Sequence, residues 1–304
     1  MRNASTQMVY ELVRQDARVM ALTADNRNDI YERIHQEMPK QYMDYGIAEE
    51  NMVASAAGLA SCGKIPFLYT ITNFMSLHAL EFIRNDVCIA NQNVKFLGRS
   101  SGLTSYTMGP THQGTEDLAI IRTLPNLLTI TPATPKEARE ATRFAYEHEG
   151  PVYIRLEGQG ELEYFNSDYR FEMGHGYVMR DGTDVTIMTM GAILNEALQV
   201  ADSLSIENVS VRVISMPMVN PLDEMLILRA AKETKGIITL EEHSYIGGLG
   251  SAVAEFLAET GIGIKFKRLG FINCAKGCGQ KDWLREYNGI GTADIIQVVK
   301  NFCD

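Results

Sequence analysis

The segment Tyr45–Asn51 carries two adjacent carboxylates at the predicted start of a helix. A short strand, Gln41–Asp44, is expected to lead into a turn at Gly46, and the helix then begins at Glu49 and Glu50. Acidic residues in a first helical turn commonly do no more than complement the helix dipole. The residues that follow are small and apolar, so this helix is predicted to pack on both sides and to bury its first carboxylate in part. A buried carboxylate holds a proton or hydrogen-bonds a base, which makes it a candidate for acid–base chemistry.

A histidine in a glycine-bracketed loop is the second candidate. His112 lies in the sequence Gly-Pro-Thr-His-Gln-Gly at 109–114, before a helix expected to begin near Thr115. Because imidazole titrates near neutral pH and loops often carry functional residues, this loop favours a catalytic or binding role. A single histidine is more often structural, so the loop alone does not define a function.

Three further features favour structure over chemistry. Phe74 follows a predicted strand, and such a residue more often belongs to the core than to a ligand platform. Gly247–Gly250 precedes a helix and could hold a phosphate, but it is not a full dinucleotide-binding pattern and it follows the acidic Glu241. Cys274 and Cys278 lack a second pair of ligands, so no zinc site is predicted.

Charge and cysteine content limit the partners. Among the 304 residues, 28 are Lys or Arg and 38 are Asp or Glu, which gives a net charge of −10. Such a chain is not expected to bind nucleic acid or an anionic membrane surface. The five cysteines are odd in number and scattered, which predicts reduced thiols in the cytoplasm. The charged N-terminal residues indicate no signal peptide, and no apolar run approaches the ~20 residues of a membrane span.

The elements that must position these residues alternate along the chain. Apolar strand-like runs and helix-periodic segments follow one another, so we predict an α/β fold with two doubly wound domains and largely parallel sheets. The predicted strands are Val19–Thr23, Ile65–Ile71, Val94–Gly98, Leu127–Thr131, Val152–Leu156, Val185–Met190, Val209–Met216, Gly236–Leu240 and Ile264–Leu269. The predicted helices are Glu49–Ser61, Phe74–Gln92, Thr115–Thr123, Lys136–His148, Leu194–Leu204, Leu222–Lys232, Gly250–Glu259 and Ala293–Phe302.

A segment without either periodicity separates the two halves. Gly158–Gly176 is rich in aromatic, charged and glycine residues. With about 150 residues per domain as a guide, we place a first domain at 1–160, a linker at 161–175 and a second domain at 176–304.

Several motifs, in order over essentially the whole chain, resemble the C-terminal half of transketolase and the C-terminal subunit of the small two-gene transketolases of bacteria. The motifs are Ala24-Asp25, YGIAEEN at 45–51, GPTHQG at 109–114, Leu124-Pro125-Asn126, Thr131-Pro132-Ala133, Ile214-Ser215-Met216-Pro217, Pro221-Leu222-Asp223 and the run from Glu241 through Ala252. The resemblance implies a thiamine diphosphate enzyme of three α/β domains that transfers a two-carbon ketol unit from a ketose to an aldehyde. This chain would hold the pyrimidine-binding domain and the C-terminal domain.

The resemblance also implies a partner. In the family, the diphosphate-binding domain ligates Mg²⁺ through a Gly-Asp-Gly sequence and a later Asn, and no Gly-Asp-Gly occurs in this chain. We therefore expect a separate N-terminal subunit to hold Mg²⁺ and the diphosphate in an α₂β₂ assembly. This chain itself is expected to ligate no metal.

On this resemblance, Glu49 would face ring nitrogen N1′ of the cofactor, and Glu50 is the less favoured alternative. The 4′-amino group of thiamine is basic enough to act only when N1′ is protonated or strongly hydrogen-bonded, in a site that excludes water. Phe74 would stack on the aminopyrimidine ring. Asp25 matches an acidic residue near the cofactor.

The resemblance implies two substrate residues and contains three departures. His112 matches a histidine that contacts the donor ketose, which makes it the second catalytic candidate, and Arg2 matches an arginine that binds the acceptor's phosphate. Met108 replaces an acidic residue expected four positions before the histidine, and Gly158 stands near the place of a second phosphate-binding arginine. Arg99 is expected to replace a histidine that is missing beside it. These changes predict a non-standard sugar or aldehyde substrate.

Three alternatives stay open at this point. The β subunit of a 2-oxo acid dehydrogenase carries the same two domains but lacks the GPTHQG loop. A 1-deoxyxylulose-phosphate synthase is close in its motifs but is normally one chain. A non-catalytic scaffold would not need Glu49, Phe74 and His112 together.

Overall fold

Apolar runs bounded by polar turns form buried parallel strands in both halves of the chain. The computed structural model describes residues 1–158, 161–272 and 276–303. Cys274 and residue 160, the predicted end of the first domain, lie outside the described residues. In the described part, no helix combines the length and the apolar character that a membrane span needs.

Contacts between residues divide the chain into two compact units. The first unit comprises Met1–Ser101 and Ile120–Phe171, and the second comprises Gly102–Ala119 and Glu172–Asp304. The chain therefore leaves the first unit after Ser101, contributes one segment to the second unit and then returns. Sequence periodicity alone gives no sign that Gly102–Ala119 belongs to the second unit.

The first half of the chain contains six helices and six strands in the described residues. In chain order they are α1 (Arg2–Gln15), β1 (Val19–Thr23), α2 (Asp29–Glu37), β2 (Tyr42–Asp44), α3 (Glu49–Ser61), β3 (Ile65–Ile71), α4 (Leu80–Phe82), β4 (Lys95–Arg99), α5 (Asp117–Ile121), β5 (Leu128–Ile130), α6 (Pro135–Glu147) and β6 (Val152–Leu156).

The strands of the first unit form a parallel sheet in the order β5-β6-β4-β3-β1-β2. Thr23 at the end of β1 pairs with Tyr69 on β3, and Ile71 at the end of β3 pairs with Arg99 on β4. The carboxyl ends of β1, β3 and β4 therefore lie at one edge of the sheet. In doubly wound sheets, ligands bind at this edge.

Two helices of the first unit are absent from the sequence prediction, and a third differs in kind. Helices α1 and α2 were not predicted, although Met8, Val9, Leu12 and Val13 of α1 repeat every four residues and are buried. The predicted helix Phe74–Gln92 consists of two π-helical segments, Phe74–His78 and Ile83–Ile89, on either side of the short α4. Hydrophobic periodicity does not separate these two helical windings over short segments. π-Helical turns are frequent at functional sites.

The second half contains six strands and five helices in the described residues. They are β7 (Tyr177–Arg180), β8 (Val185–Thr189), α7 (Leu194–Ser205), β9 (Val211–Ser215), β10 (Met218–Asn220), α8 (Glu224–Glu233), β11 (Gly236–Ser244), α9 (Leu249–Thr260), β12 (Lys265–Phe271), α10 (Lys281–Tyr287) and α11 (Thr292–Cys303).

The sheet of the second unit has the order β12-β11-β8-β9-β7, parallel except for the pair β7 and β9. Strand β11 runs to Ser244, four residues beyond the predicted end at Leu240. The strand continues through two acidic residues, Glu241 and Glu242, because both are buried and hydrogen-bonded. Both units are thus α/β with largely parallel strands, which confirms the predicted fold class.

Helix α6 begins at a buried carboxyl group whose pKa is shifted. The Glu137 N–H donates to the Thr134 hydroxyl at 3.1 Å, and Glu137 accepts hydrogen bonds from Ala133 N–H at 2.6 Å and from the Tyr169 hydroxyl at 3.0 Å. This arrangement resembles a capping box. Burial raises the pKa of Glu137 to about 7, against the opposing effect of the Ala133 and Tyr169 hydrogen bonds.

Glu137 is expected to make the free energy of unfolding depend on pH. Because its folded-state pKa is raised, its contribution is fully present below the ordinary glutamate pKa and is lost as the pH rises through about 7. Relative to Glu137→Gln, the wild type should lose on the order of 2 kcal/mol between pH 5 and pH 8. Urea unfolding of both proteins at the two pH values measures this difference. Parallel pH dependences would contradict it.

Candidate active site

Polar side chains and one aromatic side chain lie at the carboxyl edge of the first unit's sheet. Asp25 and Asn26 follow β1, Phe74 follows β3, and Arg99 ends β4. Glu49 begins α3, the helix that packs against β3. Five of the seven predicted site residues belong to the first unit, and four of them lie where these strands and this helix meet.

Glu49 is buried at the start of α3, as its sequence context predicts. Its side chain is 3% exposed, and one carboxylate oxygen accepts a hydrogen bond from the Thr70 hydroxyl at 3.3 Å. The helix that follows buries Met52 and Ala56 on one face, which draws its first turn into the protein. The helix dipole favours a negative charge at this end.

Glu50 has a different environment from its neighbour. Its side chain is 33% exposed, and its Oε1 lies 2.8 Å from Nε2 of His78. The His78 ring is 58% exposed, and its Nδ1 lies 3.7 Å from Oε2 of Glu49. Of the two carboxylates, only Glu49 combines burial with a neutral hydroxyl donor, which favours it as the group that faces a ligand.

Asp25 and Phe74 follow β1 and β3, two neighbouring strands of the sheet. Phe74 is half-buried and begins the first π-helical segment. Asp25 is exposed and adopts a left-handed backbone with φ of 47°, and its N–H donates to the Asp44 carboxylate at 3.2 Å. Asp and Asn tolerate this conformation better than most side chains.

The positive charges of Arg99 and Arg2 both affect the pKa of Tyr69 on β3. Burial raises the pKa of Tyr69, and the positive charges of Arg99 and Arg2 oppose that rise. Arg99 also donates from Nε to the Asn26 side-chain oxygen at 2.8 Å. The two cationic residues selected from the sequence therefore lie close to one buried phenol, although they are 97 positions apart.

A cleft of about 440 Å³ connects Arg2 with Gly158. Pro135 and Glu161 also line it. Gly158 has a left-handed backbone with φ of 27°, and a Cβ there would lie 2.6 Å from a carboxylate oxygen of Glu161. A longer side chain at 158 would thus require Glu161 to move. Glu161 accepts a hydrogen bond from the Met1 amino group at 2.7 Å and lies in the cleft beside the position near which the resemblance implies a phosphate-binding arginine.

His112 and Met108 belong to the second unit. His112 ends a short 3₁₀ turn that follows Gly109, whose φ of 79° is a conformation that glycine adopts without strain. Nδ1 of His112 lies 2.9 Å from the Thr111 hydroxyl. Met108 precedes this turn and is 59% exposed. The loop thus presents a half-buried imidazole and an exposed thioether.

The end of β11 holds both ends of this loop. The Leu103 N–H donates to Glu242 at 3.1 Å, and the Leu118 N–H donates to Nε2 of His243 at 3.1 Å. Nδ1 of His243 lies 2.6 Å from the Ser244 carbonyl. Nδ1 must therefore carry the proton, and the ring is the neutral tautomer that accepts through Nε2. The loop with His112 is positioned by this buried strand end.

A buried ion pair supports that strand end. Burial alone would raise the pKa of Glu242, but Arg285 and Lys281 on α10 and the Leu103 N–H lower it to about 2. Arg285 Nε donates to Glu242 Oε1 at 2.6 Å. The Glu242 carboxylate is therefore ionised and holds α10 and the loop together.

The glycine run before α9 does not offer its N–H groups to a phosphate. Leu249 N–H and Gly250 N–H both donate to the Glu241 carboxylate at 2.9 Å. A Cβ at Gly248 would lie 2.0 Å from an oxygen of the same carboxylate. The glycine at 248 is thus required by the close approach of Glu241, which takes the place that a phosphate would occupy.

The sequence analysis does not select three residues that lie near Glu49. Thr70 and Asn26 connect Glu49 to Arg99, and His78 lies beside both glutamates. Asn26 follows Asp25 at the end of a predicted strand, which is a detectable signal. Thr70 lies inside an apolar strand, and His78 lies in a predicted helix, so neither stands out by spacing.

Comparison with known protein families identifies the class of this chain. Residues 1–160 match the transketolase pyrimidine-binding domain, and residues 174–295 match the transketolase C-terminal domain. The chain belongs to the transketolase family. The resemblance carried by its motifs is thereby confirmed.

Two curated relatives match this chain over most of their own length. The 6-deoxy-6-sulfo-D-fructose transketolase subunit of Clostridium sp. is 35% identical over 298 residues, which are 98% of this chain and 92% of that protein. A subunit of the apulose-4-phosphate transketolase of Actinobacillus succinogenes is 34% identical over 264 residues, which are 86% of this chain and 85% of that protein. Both relatives are named as subunits of transketolases.

A solved structure has the same fold over the full chain. It is described as a split gene transketolase in an inactive beta4 tetramer. The TM-score is 0.91 at 37% identity, and the alignment covers 99% of this chain and 97% of that chain. The fold, the length and the domain content of the two chains therefore agree.

The family implies thiamine diphosphate, and the residues of the first unit fit one half of it. A buried carboxylate, Glu49, suits a ring nitrogen, and the half-buried Phe74 is an aromatic residue of the kind that stacks on a pyrimidine. They do not fit the metal and the diphosphate. Across the described residues, the one group of three acidic or histidine ligand atoms within 4.8 Å of one another is Glu49, Glu50 and His78, the same group that would face the ring.

The contrast between the two glutamates predicts unequal effects of the same substitution. In a complex reconstituted with an N-terminal transketolase subunit, Glu49→Gln should slow exchange of the C2 proton of added thiamine diphosphate by on the order of 10²- to 10⁴-fold. Glu50→Gln should change it little, because Glu50 is partly exposed and contacts His78. Deuterium exchange followed by NMR measures both rates. The reverse ranking would assign the role to Glu50.

Proposed function

We propose that this chain is the C-terminal subunit of a thiamine diphosphate-dependent transketolase that transfers a two-carbon ketol unit from a ketose to an aldehyde. The observation that carries the proposal is the buried Glu49 carboxylate at the start of α3, held by Thr70. It stands in a chain of the transketolase family at the carboxyl edge of a parallel sheet.

Glu49 would hold the aminopyrimidine half of the cofactor. When bound, thiamine diphosphate supplies the carbon nucleophile for carbon–carbon bond cleavage and formation. Glu49 supplies a buried carboxylate for ring nitrogen N1′, and its burial keeps water from competing for that contact. Phe74 would support the ring, and Asp25 would lie at the rim of the same site.

His112 and Arg99 would handle the substrates. His112 is half-buried in a loop held at both ends, and its imidazole would donate a hydrogen bond to a substrate oxygen. Arg99 and Arg2 would bind an anionic group of the acceptor, since guanidinium groups bind oxyanions through several donors.

A partner subunit would complete the site. The chain has no Gly-Asp-Gly sequence, so Mg²⁺ and the diphosphate would be held by an N-terminal subunit, in an α₂β₂ assembly in the cytoplasm. The solved split transketolase chain is described as inactive in a tetramer of β subunits, which supports a need for a second kind of subunit. We propose the boundaries 1–160, 161–175 and 176–304 for the pyrimidine-binding domain, the linker and the C-terminal domain.

The substrate would be a non-standard sugar or aldehyde. The two relatives are named for a sulfonated sugar and for apulose 4-phosphate. In this chain, Met108 offers a sugar hydroxyl only a weak thioether acceptor, and Glu161 lies in the cleft of Arg2 and Gly158. The Met1 ammonium pairs with Glu161 at 2.7 Å and balances its charge, so the cleft would offer a doubly charged phosphate Arg2 without a second guanidinium at position 158.

The isolated chain is expected to bind thiamine diphosphate weakly and to turn over no substrate, because the metal and diphosphate ligands are missing. Co-expression with an N-terminal transketolase subunit should restore both properties. Calorimetry of the chain alone and of the co-purified complex, each with Mg²⁺, measures the difference. Micromolar, Mg²⁺-dependent binding by the chain alone would contradict this part of the proposal.

The assembled enzyme should prefer another aldehyde to ribose 5-phosphate and glyceraldehyde 3-phosphate. Loss of one charge-assisted contact corresponds to roughly one to two decades in affinity. Met108→Asp should raise kcat/KM for ribose 5-phosphate by about tenfold, whereas Met108→Asn, which adds no charge, should have a smaller effect. Steady-state kinetics on the complex decides this. A wild-type kcat/KM in the usual range of about 10⁴–10⁸ M⁻¹s⁻¹ for glyceraldehyde 3-phosphate, with no better aldehyde, would contradict it.

A further inference from the structure

Three hydrogen bonds in series connect Arg99 to Glu49. Arg99 Nε donates to the side-chain oxygen of Asn26 at 2.8 Å, and the Asn26 amide nitrogen donates to the Thr70 hydroxyl oxygen at 3.2 Å. The Thr70 hydroxyl in turn donates to Glu49 Oε1 at 3.3 Å. Every donor in the series points toward the carboxylate. We call these four residues the Glu49 relay.

The direction of the series follows from the chemistry of its members. A guanidinium only donates, so Asn26 must present its carbonyl oxygen to Arg99 and its NH₂ to Thr70. The Thr70 hydroxyl accepts that hydrogen bond and has one proton, which it gives to the carboxylate. An ionised carboxylate only accepts, so the series ends there. No member can be reversed without leaving a buried donor or acceptor unmatched.

The inner members are fixed by the fold. Thr70 is fully buried on β3, Asn26 is 9% exposed, and Glu49 is 2% exposed. The Asn26 side-chain amide also donates to the Ala24 backbone carbonyl at 2.8 Å. The Thr23 hydroxyl donates to the backbone carbonyl of Asn26 at 3.0 Å. The turn at the end of β1 therefore sets the position of Asn26 independently of Arg99.

We propose that Thr70 and Asn26 are positioning residues that set the direction of the Glu49 carboxylate and link it to the Arg99 guanidinium. With Oε1 held by Thr70, Glu49 keeps Oε2 for a ligand. The same series orients Arg99, one of the two groups assigned to the acceptor. The cofactor side and the acceptor side of the site thus share one set of hydrogen bonds. This inference rests on the proposed role of Glu49 toward the cofactor.

The test compares threonine variants that differ in their hydroxyl groups. Thr70→Val keeps the side-chain shape and removes the donor, whereas Thr70→Ser restores it. Thr129→Val is the matched control, because Thr129 on β5 is equally buried and its hydroxyl has no hydrogen-bond partner among the described residues. Asn26→Ala interrupts the same series from a less buried position, in case Thr70→Val does not fold.

The first readout is the affinity of the assembled two-subunit enzyme for thiamine diphosphate with Mg²⁺, measured by calorimetry. Thr70→Val should raise the dissociation constant by about tenfold. Asn26→Ala should raise it in the same direction by a smaller factor, while Thr70→Ser and Thr129→Val should stay within about twofold of the wild type. Thr70→Val should also lower kcat and leave the KM of the ketose donor unchanged.

The second readout needs neither cofactor nor partner. His78 Nδ1 lies 3.7 Å from Glu49 Oε2, so its ring resonances report a change in the carboxylate's direction. The chain has six histidines, and a His78→Gln spectrum assigns the relevant signals. In the isolated, histidine-labelled chain, the His78 signals should shift in Thr70→Val and remain in place in Thr129→Val.

The outcomes separate this inference from the proposed function. If Glu49→Gln weakens cofactor binding while Thr70→Val and Asn26→Ala leave it within twofold, the relay is overturned and the role of Glu49 stands. If Glu49→Gln has no effect on cofactor binding, the proposed role of Glu49 fails. In that case, unchanged His78 signals in Thr70→Val also overturn the relay, and shifted signals support the positioning of Glu49 by Thr70.

Discussion

The hydrogen bond from Thr70 to the buried Glu49 carboxylate is the interaction on which the site of the first unit depends. A carboxylate with 3% exposure has lost nearly all contact with water and is tolerated only where donors or a dipole compensate. Thr70 supplies the donor, and the start of α3 supplies the dipole. Both are available because the parallel sheet brings the end of β3 and the start of α3 to the same edge. The topology thus creates the chemical environment that the carboxylate requires.

In the second unit, buried polar side chains hold a polar loop in place. Its segment Gly102–Ala119 carries His112 and is fixed at Leu103 and Leu118 by two consecutive buried side chains, Glu242 and His243. One is an ionised carboxylate balanced by arginine and lysine, and the other is a neutral imidazole with a defined tautomer. Buried polar groups of this kind are stable only when every partner is present. The loop and the strand end therefore depend on each other.

The sequence predicts most of the fold and part of the site. Apolar runs predict the bounds of β3 and β6 correctly, because parallel strands that are buried on both faces form nearly continuous hydrophobic segments. The same reasoning ends β11 at Leu240, since the burial of Glu242 depends on Leu103 and Arg285, which are distant in the chain. Motifs selected Glu49 and its burial, but not Thr70, because a threonine in an apolar strand has no distinctive pattern. The hydrogen-bond series is a property of three-dimensional packing, and spacing along the chain does not contain it.

The most direct test of this account is a structure of the chain assembled with the proposed N-terminal subunit, thiamine diphosphate and Mg²⁺. The account predicts that one carboxylate oxygen of Glu49 lies at a hydrogen-bond distance of about 2.6–3.0 Å from the pyrimidine nitrogen N1′. The other oxygen should still accept from Thr70. A structure in which Glu50 makes that contact, or in which both Glu49 oxygens lie beyond about 4 Å from the ring nitrogen, would contradict the central claim.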